Sequence, residues 1–462
     1  MPELSQRKHG IWQLATLLTL LPILAVPIRG FPLPGATIAQ IYLGLTLLGM
    51  AGVFAFDLVA SWKIPWRSVL FLSAGGQMVV IAVVSGYVNG VPFRGGGVES
   101  VDVVQPIMQT ALAVAWICFT LSCDWSHPFF WRIFLLFAIP LYAVLCAGWM
   151  ASGLTMPYLA FGLHKNEIGS ASLAVFFLAV ACCLGRRRTS PEFLGAIALI
   201  GMSLLILFAS DSRSNQLVLV LALGFYIGNR VMQRFGGVRI AAFFVLIGIA
   251  LAIPKFYLEM ESSSTSDAGS VGGGGRSIYN GRNHIWKDIL QDVPDRPLLG
   301  YGKRFAKRYR KMENEDFFLD SHNLYLGTQY QVGYIGLASL IAFLFMLWYQ
   351  LSIRWGRSHF SRISLCFLAG FIVQQALECS LIQGGHIASL AYIPVLGMGL
   401  SISVKGSHED DHEDDHEDEG YLDAEKELET EQSDATSQGS PQEGGGQDPR
   451  AREFKPDSKV AT

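Results

Sequence analysis

The sequence predicts an all-α, polytopic membrane protein with about twelve transmembrane helices and one large loop on the outer side. Three observations predict it. Of 462 residues, 51% are hydrophobic and only 16% charged, and the mean hydropathy is +0.35. Apolar runs recur at close to the ~20 residues that a helix needs to cross the hydrocarbon of a bilayer. Arginines collect in alternate connections between those runs.

The runs fall at 11–28, 37–60, 64–86, 104–123, 129–149, 167–184, 193–209, 214–229, 238–255, 324–350, 363–383 and 387–404. Inside lipid every backbone group must be satisfied within the segment, so helices are the expected form. The first run follows Arg7 and Lys8 but has no A-x-A-like site after it, and reads as an uncleaved first helix. Arg186, Arg187 and Arg188 lie between the sixth and seventh runs. Arg230, Arg234 and Arg239 lie between the eighth and ninth, and Arg354, Arg357 and Arg362 between the tenth and eleventh. All fall on one side, which the positive-inside rule makes cytoplasmic, together with both termini.

Four regions follow: helices one to nine over 1–255, the large outer loop over 256–323, three more helices over 324–405, and a tail over 406–462. The loop opens with a Ser- and Gly-rich stretch, 261–275. Ile285, Ile289 and Val293 then recur at helical spacing beside Trp286, until Pro297 and Gly300 break the pattern. The basic and aromatic stretch 301–312 suits the membrane interface. The tail, beginning SHEDDHEDDHEDEG, is too polar to bury a core and reads as disordered and cytoplasmic; His408, His412 and His416 within it are a weak metal pattern. The seven cysteines lie in or beside apolar runs without metal-ligand spacing and read as small buried hydrophobes. No basic surface interleaved with aromatics points to nucleic acid.

Three polar segments on the outer side are candidates for chemistry. SDSRSN (210–215) puts Arg213 at the membrane edge, where an arginine serves either a ligand or merely the headgroups or a helix end. NGRNHIW (280–286) puts Arg282 near a helix start. Two guanidinium groups from distant segments can clamp a diphosphate bidentately, although either alone reads equally as surface charge. DSHNLYLG (320–327) puts His322 where the loop re-enters the membrane. An imidazole there suits a general base, with Asn323 or Asp320 holding its ring; Ser321 and Asn323 also suit helix capping. Lys165, Asn166 and Glu167 either contact a substrate or cap the sixth helix. Glu378, inside the run 363–383, should face a cavity or a partner rather than lipid. His386 reads as turn polarity, and the glycines of VPFRGGG (91–97) lack the setting of a nucleotide site.

Together these segments resemble the O-antigen ligase family, within the O-antigen ligase and polymerase superfamily. The resemblance runs from about 160 to 400. It rests on SDSRSN, then GRNHIW (281–286), PLLGYG (297–302), SHNLYL (321–326) and GYIG (333–336), in that order. It implies a fold related to the C-type glycosyltransferases and a place in the bacterial inner membrane, with the large loop periplasmic. It implies an inverting, metal-independent glycosyltransferase of lipopolysaccharide biosynthesis that uses no cofactor. Such an enzyme moves a glycan from undecaprenyl diphosphate to lipid A–core. The matching positions imply that Arg213 and Arg282 bind the donor diphosphate and that His322 is catalytic; Asn323, Asp320 and Asn166 are candidate supporting residues from their own places in the sequence. Three rival functions stand beside it: an O-antigen polymerase, a protein O-oligosaccharyltransferase and, from another class, a non-enzymatic membrane transporter. Against the transporter, the two halves show no internal repeat and the polar residues gather at one face.

Overall fold

The computed structural model describes residues 66–91, 125, 128–159, 164–231, 237–264, 282–303, 305, 307–310, 316–319, 321–356, 358–379 and 392–400. All lie in one compact unit, Met1–Gly406; the second unit, Ser407–Thr462, lies outside the described residues, as do the runs expected at 11–28, 37–60 and 104–123.

The described chain is mostly helical. Its helices are α1 (Trp66–Val88), α2 (Pro128–Ala151), α3 (Lys165–Leu184), α4 (Pro191–Ala209) and α5 (Arg213–Val231). Then come α6 (Val238–Ser264), α7 (Arg282–Asp292), α8 (Leu324–Ile353) and α9 (His359–Gln374). A last helical run, α10, covers 392–400. Among the described residues five helices are long and apolar enough to span a bilayer: α2, α3, α4, α6 and α8. The chain is therefore a multi-pass membrane protein. Helix starts follow the sequence where caps are encoded. Ser190 accepts from the Phe193 amide, with Pro191 next to it, and His164 and Glu167 form a reciprocal capping box on α3.

The centre is built from α3 and α9. Every residue of α9 from Ile363 to Gln374 is buried, and α9 packs on α3, α5, α6 and α8. Such a helix, apolar all round, belongs inside the protein rather than against lipid. Small residues let it in: a Cβ on Gly370 would meet the Val218 Cα of α5 at 2.8 Å. The cysteines Cys146, Cys182, Cys183, Cys366 and Cys379 are free thiols.

Two expectations change. The run 363–383 is not one span: α9 ends at Gln374, and residues 375–379 leave the helix. The apolar composition continues because these residues are buried in protein, where irregular backbone is tolerated if its polar groups find partners. The stretch 301–312, expected to suit the membrane interface, includes extended backbone. Lys307–Arg310 is a strand paired antiparallel with Asp316–Leu319, Lys307 opposite Leu319. The loop between α6 and α8 thus holds α7, a short 3₁₀ turn and a hairpin, rather than short helices alone.

Two of the sequence motifs interlock. Gly333 breaks α8 near its start, with φ 67° and ψ −167°. The kink turns backbone groups of 330–335 outward to the 297–302 segment. Tyr301 donates to Tyr330 O at 2.9 Å, Gly302 to Gln331 O at 2.8 Å and Tyr334 to Pro297 O at 2.8 Å. A Cβ on Gly333 would collide with the Leu298 carbonyl and approach the Leu299 nitrogen to 2.6 Å. The end of α1 closes the other side, through Ser85 to Leu299 O and through Asn89 Nδ2 to Gly300 O at 3.0 Å.

Candidate functional site

The helix ends on one side of the molecule carry the polar residues, and the frame for them is the end of α9. A helix leaves its last carbonyls without partners, and here two other segments supply them. Tyr325 Oη donates to Ile372 O at 2.8 Å, and the Leu324 amide to Gln375 O at 2.8 Å. Asn323 Nδ2 donates to Ala376 O at 2.8 Å and Arg282 Nη1 to Leu377 O at 2.7 Å. The start of α8 and the start of α7 are therefore both fastened to the same short stretch of backbone.

α7 is held in turn by a small core of its own. Ile285, Trp286, Ile289 and Val293 are buried together with Phe305, Leu326 and Tyr330, and Trp286 Nε1 donates to Ser321 O at 2.8 Å. This is the face that the sequence spacing announces. It fixes the distance from Arg282 to the segment bearing His322.

Glu378, just past these carbonyls, is the point on which the side chains converge. Its Oε1 accepts from Arg282 Nη2 at 3.0 Å and from Asn166 Nδ2 at 3.0 Å. Its Oε2 lies 3.9 Å from His322 Nδ1. Its side chain is 17% exposed, that of Arg282 24% and that of His322 39%, so the group opens outward at the imidazole. A carboxylate this enclosed needs a countercharge and donors, and Arg282 and Asn166 provide both. His322 has φ 45°, a left-handed backbone that His adopts more readily than most residues. Non-glycine residues held in such a conformation gather at functional sites.

The other expected residues divide. Asn323 is buried, caps α8 by accepting from the Leu326 amide at 2.9 Å, and braces Ala376; its side chain is committed to the scaffold rather than to the His322 ring. Asp320 lies outside the described residues. Arg213 is exposed at the first residue of α5. Its neighbour Ser212 donates to Asn166 Oδ1 at 3.1 Å, so Arg213 starts one residue from the chain of contacts leading to Glu378. Lys165 and Asp211 face each other at 4.0 Å across the same junction. The sequence flagged Glu378 only as a charge too costly for lipid; that cost was the signal for its partners. Among the described residues no group of three or more His, Cys, Asp or Glu side chains has metal-ligand placement.

Chemically, the arrangement offers an imidazole with a carboxylate on its Nδ1 side and outward exposure, beside a guanidinium whose charge is partly balanced. These are the parts of an acid–base site working near an anion. Residues 197–341 match the family model described as O-antigen ligase. The match includes Arg213, Arg282, His322 and Asn323, while Asn166 and Glu378 lie outside it. No curated protein matches the chain. The resemblance to the O-antigen ligase family thus holds over this segment, and it supports an O-antigen ligase or polymerase type of activity, in a membrane enzyme using lipid-linked glycans.

Proposed function

We propose, from the O-antigen ligase match, that the chain moves a glycan from undecaprenyl diphosphate to lipid A–core on the periplasmic face of the inner membrane. The observation that carries this reading is the convergence of Arg282, His322 and Asn166 on Glu378 from three separate parts of the chain. The helix ends support this orientation. α3 and α8 run from this site to Arg186–Arg188 and Arg354, and α9 runs back from its Arg362 end to the site. The arginine-rich turns mark the cytoplasmic side, which leaves the site on the other.

The chemistry is one displacement. His322 Nε2 takes the proton of the acceptor hydroxyl as its oxygen attacks the anomeric carbon. The bond from that carbon to the diphosphate oxygen breaks on the opposite face, so the configuration inverts. The electron pair leaves with the diphosphate. Arg213 and Arg282 meet the charge that grows there, acting as fixed donors that need little reorganisation. Glu378 faces Nδ1 and keeps the proton there, which leaves Nε2 as the acceptor. No metal or nucleotide enters. The acyl chains of both substrates remain in the bilayer while their sugars meet at its outer edge.

The test is transfer by purified protein offered lipid A–core, a second undecaprenyl-linked glycan and a pilin-like peptide in parallel. Transfer to lipid A–core is expected, and its loss in His322→Ala with the protein still folded and inserted. Transfer only to the second lipid-linked glycan would make the chain a polymerase, and transfer only to the peptide a protein glycosyltransferase. An unimpaired His322→Ala would remove the catalytic assignment, and unchanged donor binding by Arg213→Ala would remove the clamp.

A further inference from the structure

Behind Glu378 the half-buried Asn166 opens a chain of otherwise buried neutral side chains. Asn166 uses one amide in two directions: Nδ2 donates to Glu378 Oε1 at 3.0 Å, and Oδ1 accepts from Ser212 Oγ at 3.1 Å. Its backbone carbonyl accepts from Asn215 Nδ2 at 3.3 Å, and that same Nδ2 donates to Ser212 Oγ at 2.7 Å. Ser212 and Asn215, at 0% and 1% exposure, bracket Arg213. Asn215 Oδ1 accepts in turn from Gln374 Nε2 at 2.8 Å and from the Tyr392 hydroxyl, which is also 2.6 Å from Ser170 Oγ. Gly169 makes room for this: a Cβ there would meet Ser212 Cβ at 2.6 Å and Asn215 Nδ2 at 2.8 Å.

We propose that Asn166 is a positioning residue that ties the Arg213-bearing start of α5 to the Glu378–His322 pair, so that donor binding and proton removal share one frame. This rests on the roles given above to Arg213 and His322. The side chain must offer a donor to a carboxylate and an acceptor to a hydroxyl from two separate atoms, and a short amide carries both, on the two arms of one plane. Asn166, Ser212 and Asn215 all have partners, while Gln374 Oε1, farther along the network from Glu378, has none among the described residues, so the geometry is fixed most firmly at the Asn166 end of the network. An aspartate at 166 would instead set a second carboxylate against Glu378, and one of two carboxylates sharing a site has its pKa strongly raised. Once protonated, that aspartate again gives a donor to Glu378 and an acceptor to Ser212. The titratable and charged groups around it are Glu378, Arg282 and His322 on one side, Lys165, Asp211 and Glu167 at the junction of α3 and α5, and His164, whose Nδ1 accepts from the Asn166 backbone amide at 3.3 Å.

The experiment uses the full chain in nanodiscs, with undecaprenyl-diphosphate-linked glycan as donor and lipid A–core as acceptor. Initial rates are followed from about pH 5.5 to 8.5, across the ordinary histidine range. Asn166→Ala is expected to lower kcat about tenfold to a hundredfold, the loss of a hydrogen bond to a charged group. Asn166→Asp is expected to be impaired at high pH, with its rate relative to the unaltered protein rising as pH falls. Gly169→Ala, which displaces Ser212 while leaving Asn166 in place, is expected to raise the donor KM more than it lowers kcat. A rate for Asn166→Ala within twofold of the unaltered protein, or a flat Asn166→Asp ratio, overturns the proposal. His322→Ala run alongside separates the two levels. Transfer persisting there removes the underlying function, whereas transfer lost there with both Asn166 variants unimpaired removes only the positioning role.

Discussion

Replacing Glu378 by glutamine keeps the shape of the side chain and removes its charge, and the contacts dictate where the amide must point. Arg282 and Asn166 both donate to Oε1, at 3.0 Å each, so the oxygen of the glutamine stays with them. Its NH₂ then faces His322 Nδ1, from the place where Oε2 lies at 3.9 Å. A donor there makes Nδ1 an acceptor and moves the ring proton to Nε2, the nitrogen needed as base. Loss of a positioned general base costs about 10²–10⁴ in rate. The stability cost is smaller. Removing one partner of a buried ion pair costs about 3–5 kcal/mol, and here the pair keeps some solvent and a neutral hydrogen bond, so about 2 kcal/mol is expected. Glu378→Gln should therefore insert and melt close to the unaltered protein while single-turnover transfer in nanodiscs falls by at least about a hundredfold. Transfer within threefold of the unaltered rate would refute the role given to this carboxylate.

Two further substitutions test the scaffold. Gly333→Ala forces a Cβ into the Leu298 carbonyl at a backbone conformation of φ 67°. Strain of about 1–3 kcal/mol and overpacking of a similar size should together cost about 3–5 kcal/mol, read as a lower melting temperature in detergent; an unchanged one would contradict the interlock. Asn323→Ala removes the α8 cap and leaves the buried Ala376 carbonyl unpartnered, at about 2–4 kcal/mol. Asn323→Ser keeps a capping oxygen without adding a charge and should lose only part of that, so equal losses in the two variants would count against the division.

Much of this was legible in the sequence, and the failures are physical. Hydropathy located α2 to α6 and α8 to within a few residues, except that α6 continues to Ser264, because water-facing turns and lipid-facing runs differ so sharply in composition. The apolar face of Ile285 and Ile289 on α7, with Val293 in the turn after it, and the Asn323 cap were equally plain. The end of α9 was not, since Ala376, Leu377 and Cys379 look like more of a span. Composition reports that a residue avoids water but cannot distinguish lipid from protein as what replaces it. Nor could local patterns reveal Gly333 as a kink, because its cause is the 297–302 segment arriving from elsewhere. Arg282, His322 and Asn166 stood out individually. Their common partner emerged only in three dimensions, since Glu378 is far from each of them along the chain.

Arg282 and Asn323 grip the carbonyls of Leu377 and Ala376, two successive peptide units. The gap between the guanidinium and the neighbouring imidazole is therefore measured off against a single peptide step, like marks on a ruler. The polypeptide joining them contributes little to that measurement. Changes in the polypeptide between them should therefore leave the spacing of guanidinium and imidazole as it is, provided those two carbonyls stay in place.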